Sequence, residues 1–251
     1  MLNRDIIIET LHESIKPLQF INALWLEGSD ATGLVDEYSD IDFWVDFEDE
    51  YEGQAIKAVE DTLSELAPID FKYVMKHSHL KIRQRIYHLA GTSEYLMIDF
   101  CWQLSSRSRD EYAYYLGDKI EGAKVVFDKK KVIRYSAPLN PADLAVANQS
   151  ILEDVKYRRS QHSRAEKYAR RKQYLEAYAF YNRYVLEPLI SILRLIYTPQ
   201  HPEHYLIHIS QHIPVTERER LEYFAQISSL EDIAERIPKA GEWFDLLLTM
   251  L

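Results

Sequence analysis

The sequence predicts an α+β protein: a sheet with flanking helices in the first half, then a C-terminal helical bundle. Two observations predict it. Short β-type runs are confined to the residues before about 135, and from 136 onward the apolar spacing is helical. Between them, "SAPLNPAD" (136–143) carries Pro138 and Pro141, which mark a boundary. The expected domains are therefore residues 1–135 and 136–251.

Residues 3–16 place Ile6, Ile7, Leu11 and Ile15 on one helical face. "FINALWLEG" (20–28) reads as a strand, followed by a loop with a helical turn up to Ser39. "DIDFWVDF" (40–47) alternates as a second strand, and 51–68 is an amphipathic helix stopped by Pro68. Residues 69–75, 80–89 and 94–102 give three more strands, and 122–128 a short last one. In the second half, one helix is expected over 141–160 and a long one over 163–197, bent near Pro188. Shorter helices follow near 203–212, 216–226 and 229–250.

Composition bounds the function. The 251 residues carry a net charge of −10, which argues against generic nucleic-acid binding. The acidity is uneven: residues 1–135 hold 25 acidic against 16 basic side chains, the remainder 15 against 14. No run approaches 18 uninterrupted apolar residues, and the N-terminus lacks a basic stretch followed by an apolar one. The expectation is a cytoplasmic protein with no membrane span and no secretion signal. The single cysteine, Cys101, reads as a small core residue and allows no intrachain disulfide.

The chemistry concentrates in "LEGSDATGLVDEYSDIDFWVDF" (26–47). Side chains at i and i+2 of a strand share a face, so Asp40 and Asp42 project together while Ile41 and Phe43 pack behind them. Two carboxylates this close repel, and one takes up a proton unless a cation sits between them. A hard ion such as Mg²⁺, held by carboxylates and substrate phosphates, suits that spacing. Asp99, between Ile98 and Phe100, offers a third carboxylate from another apolar strand. Gly28 lets backbone N–H groups approach a phosphate, Ser29 adds a hydroxyl, and Gly33 can take a left-handed conformation. The structural alternative has these aspartates capping turns or paired with cations of "LKIRQRIYHL" (80–89). It leaves acidic groups inside strand patterns unexplained.

Gly-Ser, ten residues, then Asp-Ile-Asp resembles the signature of the DNA-polymerase-β-like nucleotidyltransferase superfamily. Its small bacterial members are the nearest in wording: aminoglycoside and lincosamide nucleotidyltransferases and minimal nucleotidyltransferases of toxin–antitoxin operons. "GAKVVFDK" resembles the segment that closes their catalytic domain. The resemblance implies a nucleotidyltransferase fold with a mixed sheet over residues 1–135, and a helical domain contributing to the acceptor site. It implies Mg²⁺ on Asp40, Asp42 and Asp99, a nucleoside triphosphate against Gly28 and Ser29, and transfer of NMP, most readily AMP from ATP, to a hydroxyl. The acceptor would be a small antibiotic-like molecule or a protein. Asp99 is placed to help take the acceptor's proton; Glu176, from the helical half, is the alternative general base. Thr32 stands where many antibiotic-modifying relatives have Arg, so another basic residue must neutralise the triphosphate, and Asp30 adds to that demand. The alternative from a different class is a non-catalytic, antitoxin-like protein of this fold that binds a protein partner; a homodimer is also compatible.

Other motifs weigh toward structure. "KYRRSQHSRAEKYARRK" (156–172) holds eight basic residues against one acid and reads first as a solvated face paired with the acidic half. Arg158 and His162, four apart, could share a helix face, at a shorter spacing than RNA-cleaving helical toxins use. His201, His204, His208 and His212 invite a zinc reading, but no Cys or carboxylate pattern completes it. At least half of the tyrosines in 174–184 are expected in the core rather than in an aromatic pocket.

Overall fold

The computed structural model describes residues 2–108 and 113–251. The chain divides into two compact units, residues 1–138 and 139–251. No described helix is long and apolar enough to cross a membrane.

The first unit opens with α1 (Arg4–Ile15), whose N-cap Asn3 accepts the Ile6 N–H at 3.0 Å. Next come β1 (Ile21–Leu26), α2 (Gly28–Thr32), β2 (Ile41–Phe47) and α3 (Glu52–Leu66). Strands β3 (Ile69–Met75), β4 (Ile82–Leu89) and β5 (Ile98–Leu104) follow. Residues 114–115 (β6) pair with 135–136 (β8) in a two-stranded ladder, and β7 (Lys124–Asp128) joins the main sheet. That sheet is six-stranded and mixed, in the order β3-β4-β5-β2-β1-β7. Its central pair β2 and β5 is parallel; the other neighbours are antiparallel.

The period of two decides which face is which. Ile41, Phe43, Val45 and Phe47 of β2, with Ile98, Phe100 and Trp102 of β5, belong to one core together with Ile7, Leu11 and Ile15 of α1 and Ala55, Val59 and Leu63 of α3. Phe43 and Phe100 stack with centroids 5.0 Å apart. The opposite face carries the intervening residues: Asp42, Trp44 and Asp46, and Asp99, Cys101 and Gln103. At one end of that face, buried Asp46 accepts from Asn22 Nδ2 at 2.7 Å and Gln103 Nε2 at 2.9 Å. A buried carboxylate is tolerated there because amide donors satisfy it.

The second unit is helical, as expected, but segmented differently. The helix foreseen over 141–160 is two, α4 (Pro141–Ala147) and α5 (Gln149–Arg159), separated at Asn148. The long helix over 163–197 breaks not at Pro188 but near Lys172, which adopts φ 58°. There α6 (His162–Arg170) closes as the Gln173 N–H donates to the Tyr168 carbonyl at 3.1 Å. Beyond it, α7 (Tyr174–Tyr181) runs into a π-helical turn, Asn182–Leu186, and then α8 (Glu187–Tyr197). Pro188 therefore sits in the first turn of α8. The wider turn before it accommodates a residue that has no N–H to give.

The helix expected over 203–212 is only α9 (Ile209–His212), because Tyr205 and His208 have positive φ. Helices α10 (Val215–Ala225) and α11 (Leu230–Leu248) complete the unit, the latter opened by a Ser229/Asp232 capping box. Tyr181 and Tyr184 are buried, whereas Tyr178 is exposed. Arg194 is fully buried and donates to the Tyr205 and Ile207 carbonyls at 2.8 and 2.5 Å, with His212 Nδ1 2.9 Å from its Nη1. His212 is thus occupied in bracing the 198–208 segment. Three of the eight basic residues of the stretch are ion-paired within its own unit: Arg158 with Asp154 and Glu187, Arg159 with Asp245, Arg170 with Glu166.

Phe43 has no exposed surface and lies directly behind the acidic face. Phe43→Ala is expected to destabilise the first unit by about 3–5 kcal/mol, read as a lower denaturation midpoint in urea with an unchanged slope.

Candidate active site

Parallel register brings the acidic residues together. In the β2–β5 ladder Asp42 is the partner of Asp99, so the two carboxyls stand side by side on adjacent strands. Asp40 lies one residue before β2 and is exposed, and its charge acts on both Asp42 and Asp99. Asp42 and Asp99 thus share one face, with Asp40 near enough for its charge to act on both.

Their electrostatics are those of a site lacking positive charge. Burial, and then the charges of Asp40, Asp99 and Glu27, raise the Asp42 pKa to about 7; Arg4 acts weakly in the opposite sense. Asp99 is also raised, by burial first and against a hydrogen bond from Gln84. Gln84 Nε2 lies 2.9 and 2.8 Å from the two Asp99 oxygens and fixes the carboxyl plane. The cations that flank Gln84 serve the other face: Arg83 pairs with Glu52 and Arg85 with Glu60. Alternation along β4 therefore gives the site an amide and withholds two guanidiniums.

The turn after β1 fits against Asp42. Gly28 has φ +56°, and a Cβ there would lie 2.1 Å from Asp42 Oδ2. Only glycine brings backbone this close to the carboxylate. Ser29 Oγ is buried and has no hydrogen-bond partner, a donor held ready beside the acidic face. Gly33 caps α2 in the left-handed conformation, φ 76°. Thr32, in place of a basic residue, turns its hydroxyl onto the Gly28 carbonyl at 3.0 Å and so secures the turn.

Asp30 does not add free negative charge. It is buried and ion-paired with Arg4 of α1, and with Lys124 Nζ of β7 at 3.2 Å. Arg4 Nη1 also donates to the Ser39 carbonyl at 3.2 Å, just before Asp40. Two cations distant in sequence thus flank the loop. Glu27 is a fourth acid of the site. Burial raises its pKa against hydrogen bonds from Tyr114 and from Trp25, whose Nε1 is 3.3 Å from Glu27 Oε1 and 2.7 Å from Tyr114 Oη. Glu176 stands exposed on α7 of the second unit. Cys101 is buried, and burial pushes its thiol pKa well up, as expected of a core residue.

Sequence reasoning missed Arg4, Glu27, Gln84 and Lys124. Glu27 was visible as an acid ending an apolar strand, and Gln84 as an amide between two arginines in another. Arg4 and Lys124 carried no signal.

The donor set fits a hard divalent cation. Asp42 and Asp99 stand side by side with Asp40 close enough to act on both, burial first and then neighbouring carboxylates raise the Asp42 and Asp99 pKa values, and an orphaned hydroxyl lies alongside. Residues 7–95 match the family model described as a nucleotidyltransferase domain. No curated protein matches the sequence. Among solved structures, the chain is similar to an aminoglycoside 6-adenyltransferase from Bacillus subtilis, with 12% identity, 99% of this chain and 92% of that chain covered, and a TM-score of 0.34. It is also similar to a spectinomycin adenyltransferase from Enterococcus faecialis in complex with ATP and spectinomycin, with 12% identity, 97% and 100% covered, and a TM-score of 0.33.

Two outcomes follow from the geometry. Between pH 4 and 7 the folded protein keeps on Asp42 a proton that the unfolded chain releases near pH 4. Metal-free protein should therefore lose stability as pH rises through that window, and Asp42→Asn should flatten this part of the melting-temperature profile. Gly28→Ala should force the Asp42 carboxyl aside at a backbone position with positive φ and lower the melting temperature by about 4–8 °C, with an unchanged circular dichroism spectrum.

Proposed function

We propose that the protein, whose residues 7–95 match the family model of a nucleotidyltransferase domain, transfers a nucleoside monophosphate, most readily AMP from ATP, to a hydroxyl of a small antibiotic-like molecule or a protein. The observation that carries this reading is the in-register pair Asp42–Asp99, with Asp40 beside it and the Gly28–Ser29 turn against it.

Asp40, Asp42 and Asp99 would hold Mg²⁺. When bound, the ion neutralises triphosphate charge and stabilises the attacking and leaving oxygens. The chain's own groups do the rest. The Gly28–Ser29 backbone and the Ser29 hydroxyl donate to phosphate oxygens. Arg4 and Lys124, drawn to Asp30, supply positive charge near the loop in place of the arginine absent at Thr32. The acceptor oxygen forms a bond to the α-phosphorus as the α–β bridging P–O bond breaks and pyrophosphate leaves. The acceptor proton passes to Asp99. Gln84 keeps the receiving oxygens aimed. Dependence on ATP and Mg²⁺ fits the cytoplasm.

The test is pyrophosphate release from each of ATP, GTP, CTP and UTP against aminoglycosides, lincosamides and host-cell lysate. The expected result is labelling of one acceptor class with ATP preferred, and a loss of about 10³-fold or more in kcat for Asp42→Asn, the scale set by losing a transition-state electrostatic contact. Equal calorimetric heats of ATP and Mg²⁺ for wild type and Asp42→Asn would remove the assignment.

A further inference from the structure

Helix α11 carries a proline in its interior, Pro238. Proline has no N–H, so the Ala234 carbonyl one turn earlier loses its helical donor. Ala234, Pro238 and Gly241 line one side of a cavity of about 310 Å³ within the second unit, and Arg159, His162 and Glu166 line the other. The volume lies at the lower end of the range for small-molecule sites.

The polar groups here are arranged as a site. His162 is 7% exposed; neither ring nitrogen makes a well-formed hydrogen bond, and the Tyr184 backbone acts on the ring only weakly. A neutral imidazole offers one N–H and one lone pair, so both a donor and an acceptor are left over. Burial, and then Arg159, hold the ring neutral with a pKa of about 4. Gly241 exists to admit Arg159: a Cβ there would lie 2.8 Å from Nη2 and 3.0 Å from Cζ. The guanidinium lies against the α11 backbone, fixed by two bonds to Asp245 at 3.1 and 2.8 Å.

Charge selects among ligands. Arg159 is balanced by Asp245, and Glu166 by Arg170, whose Nε lies 3.0 Å from Oε1. An anion would meet the Glu166 carboxylate, and a cation the Arg159 guanidinium. We propose that this cavity binds a small, neutral, planar group bearing a hydrogen-bond donor and an acceptor on one edge, the chemistry shared by carboxamides and nucleobases. The ligand's N–H is received by the Ala234 carbonyl or the bare His162 nitrogen, and its acceptor takes the His162 N–H. The proposal is independent of the transferase reading.

The test is an NMR titration of the full chain, labelled at histidine, with benzamide and adenine as neutral probes and the isosteric benzoate and benzamidine as charged ones. No Mg²⁺ or phosphate is present, so the acidic site of the first unit does not report. The expected result is a saturable shift of the His162 ring signals by benzamide, adenine or both, which separates the two sources. Benzoate and benzamidine should bind at least tenfold more weakly. His162→Phe keeps ring volume without the nitrogens and should lose at least tenfold in affinity. Should that variant fold poorly, Glu166→Gln, at a half-exposed side chain, should admit benzoate several-fold more tightly. No movement of His162 with any probe, binding of benzoate as tight as benzamide, or unchanged benzoate affinity in Glu166→Gln would overturn the proposal in favour of a water-filled cavity.

Discussion

The burial of Asp42 and Asp99 side by side is the constraint around which the first unit is organised. Parallel register on β2 and β5 holds the two carboxyls together, and nothing cationic from the neighbouring strand relieves them. A fold accepts such a cost only where the surrounding structure overdetermines the geometry. Here the backs of both strands are locked into one apolar core by Phe43, Phe100 and the helices α1 and α3. The acidic groups cannot separate without breaking that packing. Burial, and then the neighbouring carboxylates, raise the pKa of both Asp42 and Asp99.

The same economy governs the rim. Gly28 approaches Asp42 so closely that any other residue would collide with it, and Thr32 ties the turn from behind. Asp30, read alone, makes the loop more hostile to phosphate. Paired with Arg4 and Lys124, it becomes the anchor that draws two cations to the loop. Glu27, sequestered by Tyr114 and Trp25, adds a further acid behind the aspartates and contributes to the high Asp42 pKa.

The helical unit follows a different logic. Its basic stretch is spent on ion pairs with its own acids and on stacking, as with Lys167 and Arg171 over Tyr168. Arg158 and His162 do not share a helix face, because the chain leaves α5 before entering α6. Arg158 is engaged with Asp154 and Glu187, while His162 turns inward to the cavity beside α11. Prolines mark where backbone groups are freed: Pro188 behind a π turn and Pro238 above the Ala234 carbonyl.

The sequence by itself determined the sheet-then-bundle organisation, because periods of two and of 3.6 are local properties. It also determined that Asp42 points away from the face that Ile41 and Phe43 bury and that Gly28 follows the end of a strand, since both depend only on near neighbours. It could not determine helix breaks at Lys172 or the loop over 205–208, where single backbone conformations and the buried Arg194 decide. Nor could it place Arg4, Gln84 or Lys124 beside the acidic site. Those positions are 26, 15 and 94 residues from their partners. Only strand order and register, fixed by burying the shared core, bring them within reach.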